Sequence, residues 1–174
     1  MSDGDSDESQ RPQASARVRS PERLGAQHIL SAFQNGRHPT LDDWLRNRAL
    51  ASEGLSARTY VVCTIDFPAT VVGYYAISTA RLRRGMPEQV PLLLIGRLAI
   101  DRAFQGRGLG TELLSDALRR CLAASEIAGA RGIVAHAIDD DTVGFYQRQG
   151  FVLSPLGERV MLMPIKTARA LFEG

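Results

Sequence analysis

The sequence predicts an α/β fold with a mixed, mostly antiparallel sheet. Residues 59–65 and 70–77 are rich in β-branched and aromatic side chains and are separated by four residues, a pattern typical of a β-hairpin. Residues 91–100 form an almost continuous apolar run, which is typical of a central strand covered on both faces. A long helical pattern and a further apolar strand at residues 132–138 follow, and this strand, helix, strand order predicts a parallel crossover. Two short apolar segments between residues 151 and 165 close the sheet.

The spacing of apolar residues predicts three helices. Thr40 followed by Asp43 resembles a capping box and predicts a short helix that begins at Thr40. Gly129 is expected to end the long helix, and a run of three aspartates is expected to cap a short helix over 141–149. The buried faces are predicted to consist of Leu41, Trp44, Leu45 and Leu50 in the first helix and of Leu109, Leu113, Leu114, Ala117, Leu118, Cys121 and Leu122 in the long one.

Composition indicates one soluble globular domain, since the 174 residues are 44% hydrophobic and 23% charged. No apolar run approaches the length of a membrane span, and the N-terminus lacks the features of a secretory signal, so we expect a cytoplasmic protein without a membrane segment. Residues 1–22 have almost no large apolar side chain and are expected to be a disordered tail before a domain over 23–174. The first ten residues carry four acidic and no basic side chains, so the whole-chain net charge of +2 leaves +6 on the rest. That excess permits a polyanionic partner without requiring one.

The cysteines and histidines do not predict a metal site. Cys63 and Cys121 lie far apart inside apolar patterns and are expected to be buried free thiols. The three histidines, His28, His38 and His136, match no ligand spacing, and the mid-strand His136 is expected to pack in the core. We therefore expect no metal cofactor.

A glycine-rich loop over residues 105–111 separates a buried strand from an amphipathic helix. Its backbone N–H groups could converge on an anion, because glycines allow close approach and the helix N-terminus adds partial positive charge. The loop lacks the Gly-Lys-Ser/Thr ending of a Walker loop, and its glycine spacing differs from that of dinucleotide-binding folds. From the residues alone, a pyrophosphate cradle and a plain turn before a helix both remain open.

Two motifs resemble those of the GNAT superfamily of N-acetyltransferases, which binds acetyl-CoA. They are QGRGLG at residues 105–110 and FYQRQGF at 145–151, and with the elements between them they span residues 91–153. The resemblance implies an acyl-CoA N-acyltransferase fold in which a central, splayed pair of parallel strands is flanked by helices. It also implies acetyl-CoA contacts from the backbone of Leu98, Ala99 and Ile100 and from Gln105, Gly106, Arg107, Gly108, Leu109, Gly110, Thr111 and Phe145.

A narrower resemblance covers most of the chain from about residue 22 onward. It is carried by the segments LDDWL, RTYVVC, VVGYYAIS, LRRGMP, RLAIDRAFQGRGLG and HAIDDDTVGFYQRQGF, which are similar to the GNAT toxins of bacterial type II toxin–antitoxin systems. The resemblance implies a homodimeric toxin that acetylates the α-amino group of aminoacyl-tRNA, blocks translation and is neutralised by a ribbon-helix-helix antitoxin. The sequence departs from this pattern in its acidic-then-basic tail and at Gly144, where polar residues are common.

Acetyl transfer requires a free amine to attack the thioester and an acid to protonate the departing thiolate. Tyr146 suits the acid, since a phenol with a reference pKa of about 10 is protonated at neutral pH, although a packing tyrosine is the alternative. The predicted central strand has no acidic residue before Asp101, so a general base is harder to identify. An α-amino group with a pKa of about 8 needs less help from a base than a lysine amine does, which favours an aminoacyl ester; water or Asp101 could still serve.

Five arginines are candidates for contact with tRNA phosphates. Three lie in the loop before the predicted central strand and two on the first helix, and a role as solvated surface arginines is the alternative. They are Arg81, Arg83, Arg84, Arg46 and Arg48.

The sequence leaves three functions open, of which an aminoacyl-tRNA N-acetyltransferase toxin is favoured. The second is an acetyltransferase of a protein amine or a small polyamine, and the arginine-rich loop disfavours a polyamine. The third is a catalytically silent acetyl-CoA-binding module, which the retained Tyr146, Gly108 and Gly110 disfavour.

Overall fold

The computed structural model describes residues 17–82 and 89–173. A short 3₁₀ turn at Arg102–Phe104 precedes the longest helix. The elements in chain order are β1 (Glu22–Arg23), α1 (Pro39–Asn47), α2 (Ala49–Ser52), β2 (Arg58–Cys63), β3 (Val71–Leu82), β4 (Val90–Ile100), α3 (Leu109–Ala128), β5 (Gly132–His136), α4 (Asp140–Arg148), β6 (Val152–Leu153), β7 (Val160–Pro164) and α5 (Ile165–Ala170).

The strands form one sheet in the order β1-β2-β3-β4-β5-β7-β6, with β4 at its centre as predicted. β4 and β5 pair in parallel over residues 92–95 of β4, and β4 then continues to Ile100. The pairs β1–β2, β5–β7 and β6–β7 are antiparallel. The predicted α/β fold with a mixed, mostly antiparallel sheet and one parallel pair is therefore confirmed.

Pairing with the sheet begins earlier in the chain than the sequence predicts. The Arg19 N–H donates to the Cys63 carbonyl at 2.8 Å, and β1 pairs with β2. Residues 17–22, which we assigned to the disordered tail, thus lie against β2, because its edge offers backbone partners to the chain that precedes β1. The predicted start of the folded domain, at residue 23, is therefore too late in the chain. Residues 1–16 lie outside the described residues.

Helix α1 begins at Pro39 with His38 as its N-cap residue, so the predicted capping box at Thr40 is wrong. Proline suits the first helical position because its φ is already helical and the N–H that it lacks would have no intrahelical partner. The helix breaks at Arg48 before the four-residue α2, and Leu50 is 47% exposed rather than buried.

The ends of α3 and α4 agree with the sequence. Gly129 follows α3 with a φ of +68°, and its N–H donates to the Ser125 carbonyl at 2.8 Å. Asp139 caps α4, since its carboxylate accepts a hydrogen bond from the Thr142 N–H at 2.8 Å. The sequence did not predict the 3₁₀ turn or α5, which are too short to show a helical period.

The chain divides into two compact units, and β3 and β4 each contribute to both. The first contains the described residues up to Tyr75 together with Leu98–Leu113, and its largest buried side chains include Tyr74, Tyr75 and Phe33. The second contains Ala76–Arg97 and the chain from Leu114 onward, and it buries Ile95, Ile133, Met161 and Met163. In the part of the chain that the structure describes, no helix is both long and apolar enough to cross a membrane.

Candidate active site

The glycine-rich loop connects the end of β4 to the start of α3. Where β4 ends, the Asp101 N–H donates to the Val72 carbonyl at 2.8 Å, and Phe104 in the following 3₁₀ turn is buried. Gly106 and Gly108 have φ values of +79° and +81°, a region in which side chains are strained. Apart from the glycine itself and its neighbours along the chain, no atom of the described residues lies within 4 Å of where a Cβ would stand at either glycine. The loop is therefore fixed at its start and open at its glycines.

Helix α3 begins directly after the loop. The Glu112 N–H donates to the Gly108 carbonyl at 3.1 Å, and the N–H groups of Leu109 and Gly110 have no carbonyl one turn earlier within the helix. These groups and the helix dipole favour an anion at this end of α3. Most of the residues predicted to bind acetyl-CoA lie along this part of the chain. The end of β4 contains Leu98, Ala99 and Ile100, the loop contains Gln105, Gly106, Arg107 and Gly108, and the start of α3 contains Leu109, Gly110 and Thr111.

Two polar side chains of the loop contact other parts of the same unit. The Gln105 Nε2 donates to the carbonyls of Asn35 at 2.7 Å and Ile100 at 2.9 Å. Arg107 is exposed, with its guanidinium 6.0 Å from the centroid of the Phe104 ring. The backbone of the loop, rather than the Gln105 amide, is therefore the part suited to meet a ligand.

Asp101, considered above as a general base, has both carboxylate oxygens hydrogen-bonded to the backbone. One oxygen accepts from the Gln34 N–H at 3.1 Å, and the other accepts from the Ala103 N–H at 3.0 Å. Each oxygen is thus held by a backbone N–H group, which fixes the orientation of the carboxylate. The structure thus gives Asp101 a role in shaping the loop.

Tyr146 lies on α4 and is 2% exposed. Its ring packs edge-to-face against Phe145 and Phe151, with centroid separations of 5.3 and 5.2 Å. Burial raises the pKa of Tyr146 well above its ordinary value, so the phenol stays protonated at physiological pH. A protonated phenol has the chemistry required of the acid for a departing thiolate.

The predicted phosphate-binding arginines are only partly described. Arg46 is exposed, although its guanidinium donates to the Phe33 carbonyl, and Arg48 is exposed between α1 and α2. Arg81 near the end of β3 is exposed and donates to the Gln89 side chain at 3.3 Å. The other two, Arg83 and Arg84, lie outside the described residues.

Both cysteines are buried free thiols, as predicted. Burial raises the pKa of Cys63 to about 11 and that of Cys121 to about 12, so neither is a thiolate at neutral pH. His136 is exposed, and the expectation that it packs in the core is wrong because β5 is shorter than predicted and ends at this residue.

Glu22, His28 and Cys63 place one ligand atom each within 4.8 Å of one another, a cluster that the sequence spacing did not reveal. The His28 Nδ1 lies 2.9 Å from the Gly25 nitrogen, whose N–H donates to it, and 3.3 Å from the Gly25 carbonyl oxygen, while Nε2 lies 3.1 Å from the Glu22 carboxylate. The arrangement is therefore that of a hydrogen-bonded pair beside a neutral thiol.

A parallel strand pair in the sheet, a loop with two open glycines before a helix N-terminus and a buried, protonated tyrosine are each expected of an acyl-CoA N-acetyltransferase. Residues 56–153, which contain the loop and Tyr146, match the family model of the acetyltransferase (GNAT) domain. The chain belongs to the GNAT acetyltransferase family.

Relatives of known activity lie within the same family. The chain is 40% identical over 161 residues to a tRNA-acetylating toxin of Mycobacterium tuberculosis (strain ATCC 25618 / H37Rv), a match that covers 87% of this chain and 95% of the relative. It is similar to a mutant of the toxin AtaT bound to the C-terminus of the antitoxin AtaR and to acetyl-CoA, with a TM-score of 0.81, 26% identity and coverage of 90% and 99% of the two chains. It is also similar to AtaT complexed with acetyl-methionyl-tRNAfMet, with a TM-score of 0.79, 26% identity and coverage of 89% and 99%.

Burial of Tyr146 predicts a specific loss of stability in alkali. Its pKa is raised in the folded state, so its contribution to stability is complete below about pH 10, the unfolded value, and is lost as the pH rises toward the folded value. We expect the free energy of unfolding of Tyr146→Phe to fall less steeply above about pH 10 than that of the wild type. Urea unfolding at a series of pH values measures the two slopes, and equal slopes would contradict the buried phenol.

Proposed function

We propose that the protein is a toxin-type N-acetyltransferase that moves the acetyl group of acetyl-CoA to the α-amino group of aminoacyl-tRNA and thereby blocks translation. The observation that carries this proposal is the 40% identity to a tRNA-acetylating toxin, which extends over 95% of that relative and is not confined to the motifs shared by acetyltransferases in general. The complex of AtaT with acetyl-methionyl-tRNAfMet supports the same acceptor class.

The proposed cofactor-binding group is the loop with the N-terminus of α3. Acetyl-CoA carries a pyrophosphate, and the positive φ values and open space at Gly106 and Gly108 let main-chain N–H groups approach it without a side chain between. We assign backbone contacts along the acyl-pantetheine arm to Leu98, Ala99 and Ile100. The acetyl-CoA bound to the AtaT mutant supports this donor.

In the proposed reaction the neutral α-amine attacks the thioester carbonyl carbon, and the C–S bond then breaks with its electron pair on sulfur. The amine releases its extra proton to water. The Tyr146 hydroxyl donates a hydrogen bond and then its proton to the sulfur, and the remaining tyrosinate takes up a proton from water, so that coenzyme A leaves as the thiol and Tyr146 is regenerated. A phenol of raised pKa is a weak acid, so its main effect is to stabilise negative charge as the bond breaks. An amine with a pKa of about 8 is already partly neutral at pH 7, so the scheme needs no metal and no side-chain base.

The remaining partners follow from the toxin class. We propose that Arg46, Arg48, Arg81 and the two arginines that follow Arg81 bind tRNA phosphates, supported by the +6 charge outside the first ten residues. We also propose a ribbon-helix-helix antitoxin and a homodimer, both implied by the resemblance, and a cytoplasmic location, where charged tRNA is found. The AtaT–AtaR complexes support an antitoxin partner.

Four parallel incubations distinguish the proposed acceptor from the alternatives. Each contains the protein and labelled acetyl-CoA, together with total charged tRNA, uncharged tRNA, a polyamine or a protein as the acceptor. We expect label on the aminoacyl group of charged tRNA only. Label on the polyamine or the protein would favour the broader acetyltransferase, and acetyl-CoA binding without transfer to any acceptor would favour the silent module.

Gly108→Val should weaken acetyl-CoA binding by at least about tenfold, because a branched side chain would stand where the pyrophosphate approaches. Gly129→Val is the matched control, since Gly129 also has positive φ and open space around it but lies outside the loop. Both variants should lose similar stability, on the order of 1–2 kcal/mol, from left-handed strain. Calorimetric titration with acetyl-CoA measures the difference, and wild-type affinity in a folded Gly108→Val protein would show that the loop is a plain turn.

Tyr146→Phe should lower the rate constant of acetyl transfer by about 10²- to 10⁴-fold, which is roughly 3–5 kcal/mol of barrier, because only the donated proton is removed. The ring packing against Phe145 and Phe151 is kept, so acetyl-CoA affinity and the thermal midpoint should change little. Single-turnover acetylation of charged tRNA provides the rate. A variant that retains near wild-type chemistry would exclude Tyr146 as the donor.

Neutralising Arg81, Arg83 and Arg84 together should weaken tRNA binding and flatten its salt dependence, since fewer counterions are released. Acetyl-CoA affinity should stay unchanged. A charge-matched control neutralises three exposed arginines elsewhere, at positions 58, 131 and 169. If the slope of log affinity against log salt is the same in the wild type and the first triple variant, this loop does not contact phosphate.

A further inference from the structure

Asn35 and Asp42 are two buried polar residues that the proposed chemistry does not use; they are 5% and 8% exposed. The Asp42 Oδ1 accepts hydrogen bonds from the Asn35 N–H at 3.0 Å and from the Asn35 Nδ2 at 2.7 Å. The Asn35 Oδ1 accepts in turn from the N–H groups of Arg37 at 3.0 Å and His38 at 2.7 Å. Asp42 in the first turn of α1 therefore fixes both the side chain and the backbone of Asn35.

The backbone of Asn35 and its neighbour meets the glycine-rich loop directly. The Asn35 carbonyl accepts from the Gln105 Nε2 at 2.7 Å. At the preceding residue, the Gln34 N–H donates to the Asp101 carboxylate at 3.1 Å, and the Gln34 carbonyl accepts from the Arg102 N–H at 2.8 Å. Three hydrogen bonds thus hold residues 34–35 against the start of the loop.

Burying a carboxylate costs free energy unless hydrogen-bond donors surround it. An apolar side chain could fill the same space without that cost. A fully satisfied polar network instead selects one arrangement of the segments that it joins. Gln105 is exposed as a residue, yet its amide points to the carbonyls of Asn35 and Ile100. The network therefore extends from the buried Asp42–Asn35 pair to the exposed Gln105 in the loop.

We propose that Asp42 and Asn35 are positioning residues for acetyl-CoA binding, which act through the Gln105 amide to hold the loop in its ligand-ready conformation. The inference rests on the proposed function of the loop. It gives Gln105 a different role from the direct cofactor contact that its motif implies.

Calorimetric titration of acetyl-CoA into a set of variants tests the chain of contacts. Gln105→Ala should raise the dissociation constant about tenfold, the size expected for one or two lost hydrogen bonds. Asp42→Ala should raise it to a similar degree, whereas Asp42→Asn should stay near the wild type because it keeps the Oδ1 that accepts both Asn35 bonds. The exposed Gln27→Ala, in the same unit, is the control and should bind as the wild type does.

The double variant Asp42→Ala with Gln105→Ala separates positioning from general destabilisation. If Asp42 acts through Gln105, the double variant should bind acetyl-CoA no more weakly than Gln105→Ala alone. Hydrogen exchange of the loop amides, followed without ligand, should be faster in both single variants than in the wild type. If Asp42→Ala does not fold, Gln105→Ala and Asp42→Asn still decide through their affinities and exchange rates.

Three results would overturn the proposal: full affinity in Gln105→Ala, equal losses in Asp42→Asn and Asp42→Ala, or additive losses in the double variant. Each leaves the proposed function intact if the wild type binds acetyl-CoA and acetylates charged tRNA. A wild-type protein that binds no acetyl-CoA would overturn the proposed function and this inference together.

Discussion

A pyrophosphate held by main-chain N–H groups requires a loop that carries no obstructing side chains and yet keeps one conformation. Glycines meet the first requirement and work against the second, because they are the most flexible residues in an unfolded or poorly held segment. In this chain the contacts that restrain the loop come from outside the glycines. Asp101 anchors its start to Val72 and Gln34, the Gln105 amide holds it to Asn35, and α3 continues the backbone on the other side.

In the proposed chemical step, burial has opposite effects on two properties of Tyr146. Tyr146 is buried among aromatic rings, which raises its pKa and guarantees the proton at physiological pH at the expense of acid strength. A thiolate whose conjugate acid has a pKa near 8.5 is a stable leaving group, so in the proposed reaction a hydrogen bond from a weak acid is sufficient help. Each carboxylate oxygen of Asp101 accepts a hydrogen bond from a backbone N–H group, and the proposed reaction uses an amine that is already partly neutral. The proposed α-amino acceptor meets that condition better than a lysine does.

Some features that the sequence predicted correctly depend on residues close together in the chain. Gly129 after α3 and Asp139 before α4 act on backbone groups within four positions, and the glycine-rich loop was visible in the six residues QGRGLG. Two features that were missed depend on distant partners. The pairing of residues 17–22 requires an edge of β2, and the Gln105 amide finds its carbonyl 70 positions away, at Asn35. Neither contact can be predicted from the local periodicity of the sequence.

This difference also explains why the motif glutamine was assigned to the ligand from sequence. A short motif shows which residues recur around a site, and it does not distinguish those that touch the ligand from those that shape the segment touching it. Here the side chains of Gln105 and Asp101 turn toward protein backbone, and the open surface of the loop is backbone at Gly106 and Gly108. Backbone is the same in every residue, so the proposed pyrophosphate contact would not distinguish one acceptor from another. Under the proposed function, acceptor choice resides in side chains outside the loop, and for a polyanionic acceptor the exposed arginines have the required charge.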